Sequence, residues 1–271
     1  MSALRVTGGY LDAAGATLRR DLTIFLSYRM RVVSQVATML LTMTMFYYVS
    51  KLVRPGVVGP QGAYFAYVVV GIVALATLTA ALSTAQLVRM ELFSGTFERP
   101  IVSSIGPVGG AVTLVIFPVL YSLALSGLML VVAAIVFDFP VQLAGIPAAL
   151  GVSALAAVSF GAIGLILVAG LLAFKSAMAA SWVIAGLSIV GGVYFPMTLF
   201  PVWVRWLTEV QPFTPAVDLI RNALLGTTLA HPLWEELAKL AGFTVLLVPL
   251  ALLGLRLAVR HSRRRGTLLE Y

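Results

Sequence analysis

The stretch Ala63–Leu87, AYFAYVVVGIVALATLTAALSTAQL, has no charged residue and few polar side chains. It exceeds the roughly 20 apolar residues that carry a helix across a bilayer. Five further apolar runs flank it: Val32–Val49, Val108–Phe137, Pro147–Phe174, Ala177–Tyr194 and Ala238–Val259. Together they predict an all-α membrane protein of six spans. Of the 271 residues 61% are hydrophobic and 10% charged, and the mean hydropathy is +1.03. Soluble domains sit near 45–50% apolar and about 25% charged, so this composition excludes a water-soluble enzyme, a disordered chain and a disulfide scaffold. Pro118 inside the third run predicts a kink, since it removes a backbone donor and crowds the preceding turn. Gly106 and Gly110, and Ala157, Gly161 and Gly164, are small residues that let helices approach closely.

With both termini on one side, that side holds thirteen Lys/Arg against five acids, and the other side five against five. The whole net charge of +8 therefore lies with the termini. Basic residues mark the cytoplasmic face, so both termini are expected in the cytoplasm and the protein in the cytoplasmic membrane. The basic tail Arg260–Arg265 reads as an orientation anchor or a contact with anionic lipid. Residues 1–31 carry five arginines and two aspartates without a clean apolar core, unlike a cleavable signal.

Four segments do not span. In 10–29, Leu11, Ala14, Leu18, Leu22 and Phe25 recur at helical spacing, with Arg19, Arg20, Thr23 and Ser27 away from them. This predicts an amphipathic interface helix, either an anchor or a docking surface for a cytoplasmic partner. The cytoplasmic loop 88–107, VRMELFSGTFERPIVSSIGP, mixes Arg89, Glu91, Glu98 and Arg99 with Phe93, Phe97 and Ile101. Exposed apolar residues on a charged loop point to a surface that another protein covers, the alternative being a loop folded back on its own helices. Segment 194–226, with Pro196, Pro201, Pro212 and Pro215, predicts two short helices on the outer side, a re-entrant hairpin or a surface cap. Pro201 would open the first, with Trp203, Trp206, Leu207 and Val210 on one face. Thr214 would cap the second and Gly226 end it, with Asp218 paired to Arg221 or Asn222. Lys51–Gly62 reads as a turn.

Chemistry is scarce. There is no cysteine, and His231 and His261 stand too far apart for a metal-ligand spacing, so no metal site is expected. The nearest approach to a phosphate-binding loop, Gly170–Ser176, has Phe174 where glycine is required. Acids and bases are absent from the middle of every expected span, unlike ion-coupled carriers. The chain is expected to be non-catalytic and driven by an energy source outside itself. Methionine and aromatic side chains adapt to varied apolar ligands, which makes Met39, Met43, Phe46 and Tyr47 candidates for a pathway or for plain helix packing. No nucleic-acid partner is expected. The alternatives are a membrane-embedded lipid-modifying enzyme and a non-transporting membrane assembly protein.

The order of these segments resembles the membrane (permease) subunit of type-2 ABC exporters, the group of daunorubicin-resistance-like drug exporters and polysaccharide or O-antigen exporters. Glu91, Gly95, Thr96, Glu98 and Pro107 are similar to its E-x3-G-T-x-E stretch and following proline. Gly191, Gly192, Phe195, Pro196, Pro201, Trp203, Pro212 and Arg221 are similar to its series after the fifth span. The chain departs from it at Phe97 and Ser103–Pro107. The resemblance covers nearly the whole chain as one transmembrane domain, 1–271. It implies a coupling helix around Arg89, Glu91, Gly95, Thr96, Glu98 and Arg99 in a groove of a separate cytoplasmic ATPase, which would hold ATP and Mg. It implies that the interface helix touches the same ATPase as a gate. It also implies a second permease subunit, the same or homologous, with the pathway between them lined by the first, second and fifth spans. The cargo would be amphipathic or lipid-linked.

Overall fold

A computed structural model describes residues 29–53, 63–93, 106–139, 141–174 and 179–264, with 15, 16, 18–20, 22, 23 and 27. The described residues are almost wholly helical, without a strand. In chain order the helices are α1 (Arg29–Leu52), α2 (Ala63–Leu82), α3 (Thr84–Phe93), α4 (Gly106–Val136), α5 (Ile146–Phe174), α6 (Ala179–Val190), α7 (Val202–Glu209), α8 (Phe213–Leu225) and α9 (Leu233–Arg264). Single 3-10 turns at Leu143–Gly145 and Met197–Leu199 precede α5 and α7. Val68-Val69-Val70 would be weak helix formers in water. In hydrocarbon every backbone group must be paired within the segment, so an apolar run of this length becomes a helix regardless.

Among the described residues, four segments are long and apolar enough to cross a membrane: Ala63–Met90, Val115–Val136, Leu143–Ala173 and Leu233–His261. The other two expected spans fall on α1 and α6. In α1, Ser34, Gln35, Thr38, Thr42 and Thr44 dilute the apolar run. Thr38 and Thr42 donate back to the carbonyls of Ser34 and Thr38, at 2.9 and 2.8 Å, which pairs their hydroxyls within the helix. In the fifth run the described apolar helix is short, Ser181–Val190, and 177–178 lie outside the described residues. α4 continues through Pro118 as a single helix.

Among the described residues, two apolar clusters hold the bundle. One joins α2, α4, α5 and α8, with Met39 and Met43 entering from α1. The other joins α3, α5 and α9 through Val88, Leu165, Leu172, Ala251 and Leu255. α9 lies along α5 in the most extensive helix pairing among the described residues. A hydrogen bond between the Ser159 and Thr244 hydroxyls, 2.5 Å, ties the two. The opposite face of α9 presents Val245, Leu246, Leu250, Leu253 and Leu257, all exposed. Such a stripe suits a lipid solvent rather than water.

The small residues of α5 work as their spacing predicts. A side chain at Gly164 would collide with the Ala81 carbonyl of α2. At Gly161 it would press on Val115 of α4 at 3.1 Å. Gly170, by contrast, has open space around it. Gly164→Ala is therefore expected to destabilise the fold by about 1–3 kcal/mol through overpacking. Gly170→Ala should be neutral or slightly stabilising, since alanine is the better helix former. Thermal unfolding of the purified protein in detergent, followed by tryptophan fluorescence, distinguishes the two.

Candidate functional site

α8 begins after Gln211-Pro212, and Phe213, Ala216, Val217, Leu219, Ile220 and Leu224 sink into the bundle. Among them lies Arg221, only 2% exposed. A guanidinium taken out of water is costly unless its donors are met. Here Nη2 donates to the carbonyls of Gly192 (2.8 Å), Tyr67 (3.1 Å) and Val193 (3.2 Å). Nε donates to the Tyr67 carbonyl at 3.2 Å, and Nη1 faces Asp218 Oδ1 at 3.5 Å. The planar group also lies 3.4 Å from the centroid of the Tyr67 ring. The Tyr67 hydroxyl in turn donates to the Gly192 carbonyl at 2.8 Å. One side chain thus joins α2, the turn that ends α6, and α8.

The glycines around Arg221 make that approach possible. A Cβ at Gly71 would stand 2.7 Å from the Val193 carbonyl oxygen and 2.8 Å from Arg221 Nη2. Gly191 leaves room for the Phe213 ring, and Gly192 turns the chain with φ +70°, where only glycine is at ease. The far end of α8 is fixed as well. Gly226, at φ +66°, closes the helix by donating to the Asn222 carbonyl at 2.9 Å. The Gln142 N–H reaches the Leu224 carbonyl at 2.9 Å. A side chain at Gly145 would strike the Ala223 carbonyl, so the α4–α5 connection seats directly on α8.

A second polar cluster ties α7 to the start of α9. Lys239 Nζ bonds Glu209 Oε2 at 2.6 Å and lies 3.5 and 3.6 Å from Glu236 and Glu235. His231 stands between Glu209 (3.6 Å) and Glu235 (3.5 Å). Glu235 and Glu236 occupy the first turn of α9, where the helix dipole favours acids. The hydrogen bond from Lys239 holds the Glu209 carboxyl below its ordinary value of 4.5, with burial opposing in part.

The residues singled out from the sequence separate in space. Arg221 and Pro212 are buried, Pro196 is half-buried and Trp203 is 75% exposed. Pro201 caps α7 from just outside it, one residue earlier than its expected place. Asp218 and Arg221 pair as their spacing predicts. α8 begins at Phe213, ahead of the expected cap Thr214, whose hydroxyl accepts from Gln211 instead. Met39 and Met43 are buried in the bundle. Phe46 stacks on Tyr194 at 5.8 Å, and Tyr47 packs against Phe65 and Phe137. The exposed side of α1 carries Leu41, Met45 and Tyr48. Arg89 is exposed near the end of α3, and Glu91 follows it in the same helix. Gly95, Thr96, Glu98, Arg99 and Phe25 lie outside the described residues. Leu18, Arg19, Arg20 and Leu22 are helical, Leu18 half-buried and the others exposed. No group of three potential metal ligands occurs among the described residues.

The Glu209–Lys239 bridge joins residues 30 apart, beyond the reach of a helical-spacing argument. Only the Glu235/Glu236-to-Lys239 spacing hints at it. The acceptors of Arg221 are mainly backbone carbonyls, which no side-chain pattern announces.

A family model described as "ABC-2 type transporter" matches residues 16–225. The match takes in Tyr67, Gly71, Gly192 and Arg221 and ends before α9. A comparison with curated proteins finds no match.

Arg221→Met is expected to destabilise the protein by about 3–5 kcal/mol, the usual cost of removing one side of a buried charged network. Arg221→Lys should recover less than half of that, because an ammonium cannot reproduce the planar fork. Chemical unfolding of the purified variants measures both. For Glu209 the folded-state value lies below the unfolded one. Its contribution is therefore full above about 4.5 and is lost as pH falls through the folded value. The difference in melting temperature between wild type and Glu209→Gln should be present at neutral pH and close below pH 4.5.

Proposed function

The chain belongs to the ABC-2 type transporter family, and from that membership we propose that it is the permease subunit of an ATP-driven exporter. It is a multi-pass membrane protein, and its family implies an ATP-binding partner subunit. The family match over residues 16–225 is the observation that carries the proposal. In this reading α1 and α6 complete a set of six spans, and both termini face the cytoplasm. Segment 194–226 forms a re-entrant hairpin at the outer surface. The whole of 1–271 acts as one transmembrane domain beside a second permease subunit, the same or homologous. ATP and Mg reside on the partner ATPase, and the cargo is an amphipathic or lipid-linked molecule such as a drug, glycolipid or polysaccharide.

The packing supports a route for the stroke. Segment 88–107, with Arg89, Glu91, Gly95, Thr96, Glu98 and Arg99, meets the ATPase, and the helix bearing Leu18, Arg19, Arg20, Leu22 and Phe25 flanks it. α3 enters the bundle at Val88, fully buried in the cluster with α5 and α9. α2 and α3 together form the apolar segment Ala63–Met90, 28 residues, or about 40 Å of helix. A push at its Arg89 end reaches Tyr67 and Gly71, where Arg221 holds α8 and the end of α6. Met39, Met43, Phe46 and Tyr47 belong to the pathway in this reading. Met39 and Met43 are buried and Phe46 and Tyr47 half-buried, so α1 must part from its neighbours during the cycle for cargo to touch the methionines.

Glu91→Lys and Glu98→Lys should each lower transport by about tenfold or more, the effect of about 1.4 kcal/mol at the contact, with unchanged protein in the membrane. Co-expression with candidate ATPases, co-purification and cargo efflux from vesicles test this. Wild-type efflux by both variants would remove these residues from the contact. Failure of any ATP-binding subunit to co-purify would overturn the exporter reading.

A further inference from the structure

A cleft of about 290 Å³ opens between α2, α4, α5 and α8. Val73 of α2, Gly127 and Leu130 of α4, Phe160 of α5 and Ile220 of α8 are among the residues lining it. Its wall is almost all carbon, and two of its hydroxyls are already committed. Thr77 Oγ1 and Ser126 Oγ both donate to the Val73 carbonyl, at 3.5 and 3.3 Å. An ordered water needs two to four polar partners, and an apolar cavity of about 150 Å³ stays dry yet accepts benzene. The cleft therefore favours an apolar occupant. On the benzene scale it takes roughly ten to twelve carbon atoms.

Gly127 sharpens the case. Glycine inside a helix costs about 1 kcal/mol relative to alanine, and in membrane helices it usually lets two backbones touch. Nothing lies within 4 Å of a Cβ built on Gly127. Among the described residues no backbone contact accounts for it, as at Gly170, but Gly127 also lines the cleft. The rim is formed by Val131 of α4, Leu143 of the 3-10 turn before α5 and Leu150 of α5, all exposed. Both rim segments lie in Val115–Val136 and Leu143–Ala173, which are long and apolar enough to cross a membrane. The mouth between them consequently opens on bilayer hydrocarbon rather than on water.

We propose that this cleft is a binding site for one acyl chain of a bilayer lipid, held within a single subunit. The chain fills the space that Gly127 leaves and rests on Ile220, the neighbour of Arg221. The lipid thereby forms part of the seat of α8. The site is independent of the cargo and of ATP.

The test uses the full chain in phosphatidylcholine vesicles containing a phosphatidylcholine with a diazirine in one acyl chain. After illumination, digestion and mass spectrometry locate the adducts. Adducts are expected on the α4 segment 123–131 and the α5 segment 149–160, and also on the exposed face of α9 at Leu246 and Leu253. Gly127→Phe should lower the cleft adducts about fivefold, the factor that goes with 1 kcal/mol, and leave the α9 adducts unchanged. If Gly127→Phe does not accumulate in the membrane, Gly127→Leu is read against the same expectation. Cleft adducts that are absent from the wild type, or that survive the substitution as well as those on α9, would overturn the proposal.

Discussion

An arginine side chain without access to water must find an acceptor for each of its donors, and in this protein that requirement fixes the relation of three distant segments. Arg221 finds its partners mainly on the backbone of Tyr67, Gly192 and Val193. Backbone acceptors cannot be moved by a rotamer change, so α2, the end of α6 and α8 must all be in place together. Gly71 is small because the Val193 carbonyl and Arg221 Nη2 come too close for a side chain, Gly191 leaves room for the Phe213 ring, and Gly192 turns the chain at positive φ. The α4–α5 connection then docks on the far end of α8 through Gln142 and Gly145.

The remainder of the bundle follows from its solvent. Hydrocarbon supplies no hydrogen bonds, and the hydroxyls of Thr38, Thr42, Ser126 and Ser159 bond their own helix or a neighbour. Lipid also gives no hydrophobic drive for helices to associate, so close approach carries the packing. Gly164 against the backbone of Ala81 is the clearest instance. α2 and α3 sit at the centre of both features. They touch the α5–α9 pair at Val88 and reach the arginine at Tyr67. Together they form the apolar segment Ala63–Met90, which connects the two features.

Much of this was legible in the sequence where the physics is local. Apolar run length marks α2, α4, α5 and α9, and the Asp218–Arg221 spacing announces their pair. Gly226 ends α8 as its position suggests. The small residues of α5 declare its close contacts. Long-range chemistry was not legible. Backbone acceptors for Arg221 have no side-chain signature, and Glu209 and Lys239 share no helical period. Met39 and Met43 show the limit of composition. Their adaptability says nothing of direction, and the fold turns them toward its own core. The first and fifth runs differ from the rest for identifiable reasons: hydroxyls and Gln35 dilute one, and the described apolar helix of the other is short.

Hydrogen–deuterium exchange on the purified chain and on Arg221→Met tests the arginine's role most directly. The substitution should speed exchange together in three separate segments, the start of α2, residues 190–200 and α8. The α5–α9 pair should keep its protection. Faster exchange confined to α8, or no change in any of the three, would contradict the claim that Arg221 joins them.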